Sequence, residues 1–158
     1  MWNKIKPYVI SIAIALAVGG LSALFTKNNM EMYGNISKPP LSPPGWIFPV
    51  AWGILYVLMG IGAAQIYVNR SGKEEDARSA LFVYGLQLLV NFFWSIIFFN
   101  MQAFLFAFIW LIILWVLVIV MIIMFKRVNK TAAYIQIPYL LWVTFAGYLT
   151  LAVYILNR

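Results

Sequence analysis

Tyr84, Gln87, Asn91, Trp94 and Phe98 follow one another at steps of 3, 4, 3 and 4, so on a helix they share one face. The amides on that face can orient a guest without charge, and the rings can stack on a flat one. Two further stripes are of the same kind: Trp52 and Tyr56 lie one turn apart, and Pro138, Trp142 and Phe145 share a face. Three helices that each turn aromatics inward beside two amides describe a pocket for a large, planar, mostly apolar molecule. A plainer reading stands beside this one. The amides can simply hydrogen-bond neighbouring helices, and aromatic stripes can be core packing.

Much other chemistry is excluded. The chain has no histidine and no cysteine, so it offers no imidazole or thiolate to a metal, no thiol nucleophile and no disulfide. No metal site is expected, although ligation by Tyr or Met stays open. The acids Glu31, Glu74, Glu75 and Asp76 all lie outside the apolar stretches, which argues against proton-coupled antiport but not against passive transport. The net charge of +7 does not indicate nucleic acid, because the basic residues flank apolar stretches as membrane topology requires.

The elements that must position these residues are membrane-length. Of 158 residues, 65% are hydrophobic and 9% charged, the composition of a polytopic membrane protein of one domain, residues 1–158. Five apolar stretches cover residues 8–25, 46–68, 79–99, 104–125 and 132–156, and about 20 residues cross a bilayer as a helix. The expected fold is therefore an all-α integral membrane protein, a bundle of five transmembrane helices. The first stretch, 18 residues long, exceeds the ~7–15 of a cleaved signal core and reads as a retained helix.

Residues 26–45 form an irregular connection whose second half, Lys38 to Gly45, holds Pro39, Pro40, Pro43 and Pro44. Such a segment cannot be helical throughout and suits a stiff lid, leading through Trp46 into the second span. Pro49 falls in the first turn of that span, and Gly53, Gly60, Gly62, Ala63 and Ala64 give it a small-residue side for close packing. Gly19 and Gly20 permit a close contact in the first span. The uncharged fourth span faces lipid over much of its surface, and Pro138 kinks the fifth. Eight basic residues fall on one side of the membrane and three on the other. That asymmetry predicts a multi-pass protein of the cell membrane with its N-terminus cytoplasmic and its lid and C-terminus outside.

The run Lys38-Pro39-Pro40-Leu41-Ser42-Pro43-Pro44-Gly45-Trp46, then Trp52-Gly53-Ile54-Leu55-Tyr56 and Met59-Gly60, resembles the signature of the TspO/MBR family, the tryptophan-rich sensory or translocator proteins, also called peripheral benzodiazepine receptors. Gln87, Asn91, Trp94, Phe98 and Phe99 match its third-helix pattern, and Pro138-Tyr139-Leu140, Trp142, Phe145 and Ala146 its fifth. The resemblance covers nearly the whole chain. It implies a five-helix bundle, usually a homodimer, with a pocket under the first loop. That pocket would bind porphyrins of the protoporphyrin IX kind or isoquinoline-type drugs, and no obligatory cofactor. By position, the implied pocket includes Trp52, Asn91, Trp94, Trp142, Phe145 and Ala146. Some bacterial members are linked to light-dependent breakdown of bound porphyrin through tryptophans matching Trp52 and Trp142, the candidate catalytic pair. Sensing, transport and this photochemistry are the competing functional readings. Leu41 stands where the family often has Trp, and Thr150 where it commonly has Asn. Leu149, Tyr154 and Arg158 meet the formal sterol motif, a pattern that chance readily produces in a membrane helix.

Overall fold

The computed structural model describes residues 2–29 and 31–158, and among these the regular structure is entirely helical. Five helices are long and apolar enough to cross a membrane. Helix α1 spans Trp2–Thr26, α3 Ile47–Val68, α4 Glu74–Ser95 and α5 Phe104–Val128; α6 (Lys130–Tyr134) and α7 (Ile137–Asn157) together make the fifth crossing. A short α2, Glu31–Asn35, lies between α1 and α3.

Several boundaries differ from the apolar stretches, for identifiable reasons. Helix α1 starts at Trp2 rather than Tyr8. Lys4 and Lys6 are excluded from hydrocarbon but not from a helix, and water can take the carbonyl that Pro7 leaves unpaired. Helix α4 starts at Glu74 because Glu74, Glu75 and Asp76 occupy its first turn, where negative charge meets the positive end of the helix dipole. The segment expected to be irregular carries a 3-10 turn at Lys27–Asn29 as well as α2. Its first half has no proline to forbid helical turns; from Ile36 to Trp46 the chain is irregular, with turns at Pro40–Leu41 and Gly45–Trp46. In the fifth crossing the chain breaks at Ile135 and Gln136, so Pro138 falls in the first turn of a new helix, where its missing N–H costs little.

Helix α5 lies between α4 and α7. Ala107, Leu111, Leu114, Val118, Met121, Phe125 and Val128 are buried at alternating steps of 4 and 3, while Ile109, Ile112, Val116 and Ile123 face outward. Helix α1 packs chiefly on α3. They come close at Gly60, where a Cβ would press into the backbone of Ile12, and where the Ser11 hydroxyl donates to the Gly60 carbonyl at 2.7 Å. At one end of the bundle, Lys73 Nζ donates to the Val128 carbonyl at 3.3 Å, tying the α3–α4 loop to the end of α5. At the other end, the Asn100 amide donates to the Phe25 carbonyl at 2.9 Å and accepts from Asn29 at 2.8 Å.

Candidate functional site

Trp52, in the second turn of α3, is the hub of an aromatic cluster. Its ring centroid lies 5.8 Å from Tyr56, 6.4 Å from Trp94, 6.2 Å from Tyr139 and 6.3 Å from Trp142. Trp94 stacks on Phe98 at 5.3 Å, and Trp142 meets Phe145 at 5.7 Å. The structure thus brings aromatic members of all three predicted stripes together; Tyr84 stays apart, against Phe125 at 6.2 Å. Phe98 and Phe99 both turn inward because α4 ends in a π turn, Ile96–Asn100, whose wider winding buries Ile97, Phe98 and Phe99 in succession. Phe99 and Trp142 extend the cluster to Phe48 at 6.5 and 6.0 Å.

The amides behave differently. Gln87 and Asn91 are 0% and 1% exposed, and both are engaged by one hydroxyl. Asn91 Nδ2 donates to the Tyr139 oxygen at 2.9 Å, and Tyr139 O–H donates to Gln87 Oε1 at 2.6 Å. Gln87 Nε2 points at the Met59 sulfur at 3.8 Å. In hydrocarbon these polar groups have no water to satisfy them, so one tyrosine does it for both. Tyr139 is not among the predicted site residues. Its signal was the buried face Tyr139, Val143, Ala146, Thr150 and Val153 of α7. Pro138 is exposed, and Trp142 and Phe145 flank that buried face half-buried. The Thr150 hydroxyl closes on its own helix, donating to Ala146 O at 2.7 Å.

Beside the cluster, between α1 and α3, lies a cavity of about 430 Å³. Phe48, Trp52, Tyr56 and Phe99 form its aromatic wall, Gly19, Gly20, Ala23 and Gly53 its small-residue wall, and Lys27 its rim at the lid end. Of the predicted ligand-binding set, Trp52 and Tyr56 line it. Gln87, Asn91, Trp94, Phe98, Trp142, Phe145 and Ala146 lie behind them in the cluster or deeper in the core. The indole N–H groups of Trp94 and Trp142 are buried and have no hydrogen-bond partner among the described residues. A buried donor without an acceptor is costly, so both could gain from an acceptor carried in by a guest.

The lid is fastened over this end. Tyr33, 3% exposed, packs edge-on against Phe48 at 5.0 Å and donates its hydroxyl to the Pro43 carbonyl at 2.7 Å. Burial pushes that hydroxyl above its ordinary pKa, with the Ser42 hydroxyl opposing. Lys38 Nζ caps the Tyr33 carbonyl at 2.9 Å. Two side chains of α7 hold the irregular part of the lid. Tyr148 O–H donates to Pro40 O at 2.7 Å, and the Asn157 amide pairs with both backbone groups of Ser37, at 3.0 and 2.7 Å. Of the predicted lid residues, Pro39 is buried, Pro43 half-buried and Pro44 exposed, while Trp46 is 67% exposed and covers nothing. Leu41, at the lid tip, is exposed with φ of 71°, so it too contributes no ring or packing there.

A profile of the TspO/MBR family matches residues 11–156. The chain is 34% identical to the tryptophan-rich protein TspO of Chlorobaculum tepidum, over 99% of both chains. It is 35% identical to the tryptophan-rich protein TspO of Archaeoglobus fulgidus, over 98% of this chain and 99% of the relative. The translocator protein of Bos taurus is 32% identical over 90% of this chain and 87% of its own length.

Proposed function

The chain belongs to the TspO/MBR family, and from that premise we propose that it is a membrane receptor for porphyrins and related planar apolar ligands. Membership itself supports the coarser role of a membrane receptor or transporter. The observation that carries the finer reading is the cavity at the lid end of the α1–α3 seam, with Trp52 and Tyr56 on one wall and Lys27 at the rim. Its volume, about 430 Å³, lies within the range of ligand pockets, roughly 300–1,000 Å³. A planar macrocycle would lay one face on the indole and phenol rings, with peripheral carboxylates reaching Lys27. The unpartnered N–H groups of Trp94 and Trp142 would take acceptors if the guest penetrates between the rings. Protein in nanodiscs titrated with protoporphyrin IX tests this through tryptophan quenching. Saturable quenching that Trp52→Phe and Lys27→Glu both weaken is expected; quenching indifferent to both sinks the reading.

Transport has one observation in its favour. A second cavity lies on the same α1–α3 seam at the opposite end of the bundle, beyond the Gly60 crossing. Flux of a porphyrin into sealed liposomes, compared with the empty vesicles, separates carriage from binding. The same samples held in light and in darkness, in air, show whether bound porphyrin is consumed and whether Trp52 and Trp142 are required.

A further inference from the structure

The second cavity measures about 600 Å³ and lies between α1, α3 and α4. Its interior is Ile10, Ile14, Ala63, Ala64 and Leu81. Asn3 and Lys6, three residues apart and so on one face of α1, stand where it meets the end of the bundle. The guanidinium of Arg70 sits at the same end, 3.8 Å above the ring of Tyr67, another lining residue. Glu74, Glu75 and Asp76 begin α4 nearby, but none of them lines the cavity. Tyr84 does line it; this side chain is 7% exposed, and its hydroxyl has no partner among the described residues.

We propose that this cavity holds an acyl chain of an anionic phospholipid from the adjoining leaflet, with the headgroup phosphate on Lys6. Three features select that occupant. The wall formed by α1 is open to lipid, since Ile10 and Ile14 line the cavity and are also 47% and 53% exposed, so a chain can enter sideways from the bilayer. From Lys6 to Ile14 along α1 is about 12 Å at 1.5 Å per residue, a depth suited to an extended chain and not to a compact polar solute. The rim is cationic and the interior is not, which is the polarity of a lipid entering head-outward. This end also carries eight of the eleven basic residues, which concentrates anionic headgroups around the mouth.

The full chain in phosphatidylcholine nanodiscs, doped with a minority of acyl-diazirine phosphatidylglycerol or its phosphatidylcholine analogue, tests this by photolabelling and peptide mapping. The anionic analogue is expected to label the peptides carrying Ile10, Ile14 and Leu81 about fivefold more than the zwitterionic one, the scale of one lysine–headgroup contact. Lys6→Gln should bring the ratio close to one. Ile14→Trp, which fills the cavity from its lipid-facing wall, should suppress labelling by both analogues. Both sites are exposed, and unchanged circular dichroism confirms that the variants fold. Equal labelling by the two analogues, or the parental pattern persisting in both variants, overturns the proposal. Displacement of the anionic analogue by an equal amount of oleate overturns it in favour of a free fatty acid.

Discussion

The α3–α4 wall, backed by α7, and the α1 wall enclose the lid-side cavity from opposite sides, and they are built on opposite principles. The first is dense with rings and threaded by the Tyr139 bridge between Asn91 and Gln87. The second is glycine, serine and alanine: Gly19, Gly20, Ser22 and Ala23. Burial follows the same division. In α3 and α4, 44% of the apolar window is inside the protein, against 17% in α1. One wall is thus a fixed platform that presents aromatic surface. The other is a single peripheral helix, packed along α3 and little buried, and is the wall more easily displaced by a guest or a lipid.

The strongest way to break this contrast is to remove the point where the walls meet. In Gly60→Val the added carbons would press into the backbone of Ile12, which cannot yield as a side-chain end would. Overpacking of this kind costs about 1–3 kcal/mol or more. Thermal unfolding in detergent should show a clear drop in midpoint, with α1 gaining proteolytic sensitivity before the other helices. If α1 stays protected, Gly60 is not the hinge of the two walls.

Next in size is the platform itself. Tyr139→Phe keeps the ring against Trp52 but deletes the hydroxyl that serves both amides. Two buried hydrogen bonds are lost and an amide oxygen is left without a donor, a destabilisation of about 1–2 kcal/mol given the modest strength of such bonds in membranes. The unfolding midpoint should fall, and α1 should not become selectively exposed. That difference from Gly60→Val sharpens the distinction between platform and cover.

The platform was largely legible in the sequence and the cover was not. Tyr84, Gln87, Asn91, Trp94 and Phe98 are all buried, because polar and aromatic residues at helical spacing announce their face. The fifth crossing is where the sequence pattern fails, because an apolar run containing Pro138 reads as one kinked helix. The break at Ile135 and Gln136 restarts the register, so Tyr139, not Pro138, leads the buried face. The small residues of α1 and α3 were expected to mark close contact, and only some do. Gly19 lies against Tyr56 and Gly60 against Ile12, whereas Gly20 and Gly53 have open space beside them and line the cavity. Composition alone cannot say whether a missing side chain is filled by a neighbour or left empty. The short helices near the lid were missed for a related reason, the proline run dominating the reading of a segment whose first half has no proline.

A smaller effect falls on ligand rather than fold. Trp52→Phe leaves an aromatic hub but removes the larger indole face. Protoporphyrin IX affinity should drop by about 1 kcal/mol, roughly fivefold, with the unfolding midpoint of the empty protein little changed. An equal loss of stability and affinity would mean that Trp52 is only packing, and the platform would lose its role as a binding surface.

The smallest effect expected is at the lid, where the contrast between fixed and movable parts can be tuned by pH. The Tyr33 hydroxyl is closed under the lid, donating to Pro43 at 2.7 Å, and burial raises its pKa above 10.0. A raised pKa in the closed form means that the neutral tyrosine favours closure. That contribution is complete below the open-state value, near 10, and disappears as pH climbs through the raised one. Porphyrin dissociation should therefore quicken as pH is taken from 8 to 11, beyond the change seen in Tyr33→Phe, which has no proton to lose. At pH 8 the variant should already release ligand modestly faster, because the bond to Pro43 is gone while the edge contact with Phe48 remains. The decisive quantity is the difference between parent and variant. If the two dissociation profiles run parallel through that range, Tyr33 does not hold the lid, and its closure rests on Tyr148 and Asn157 of α7 instead.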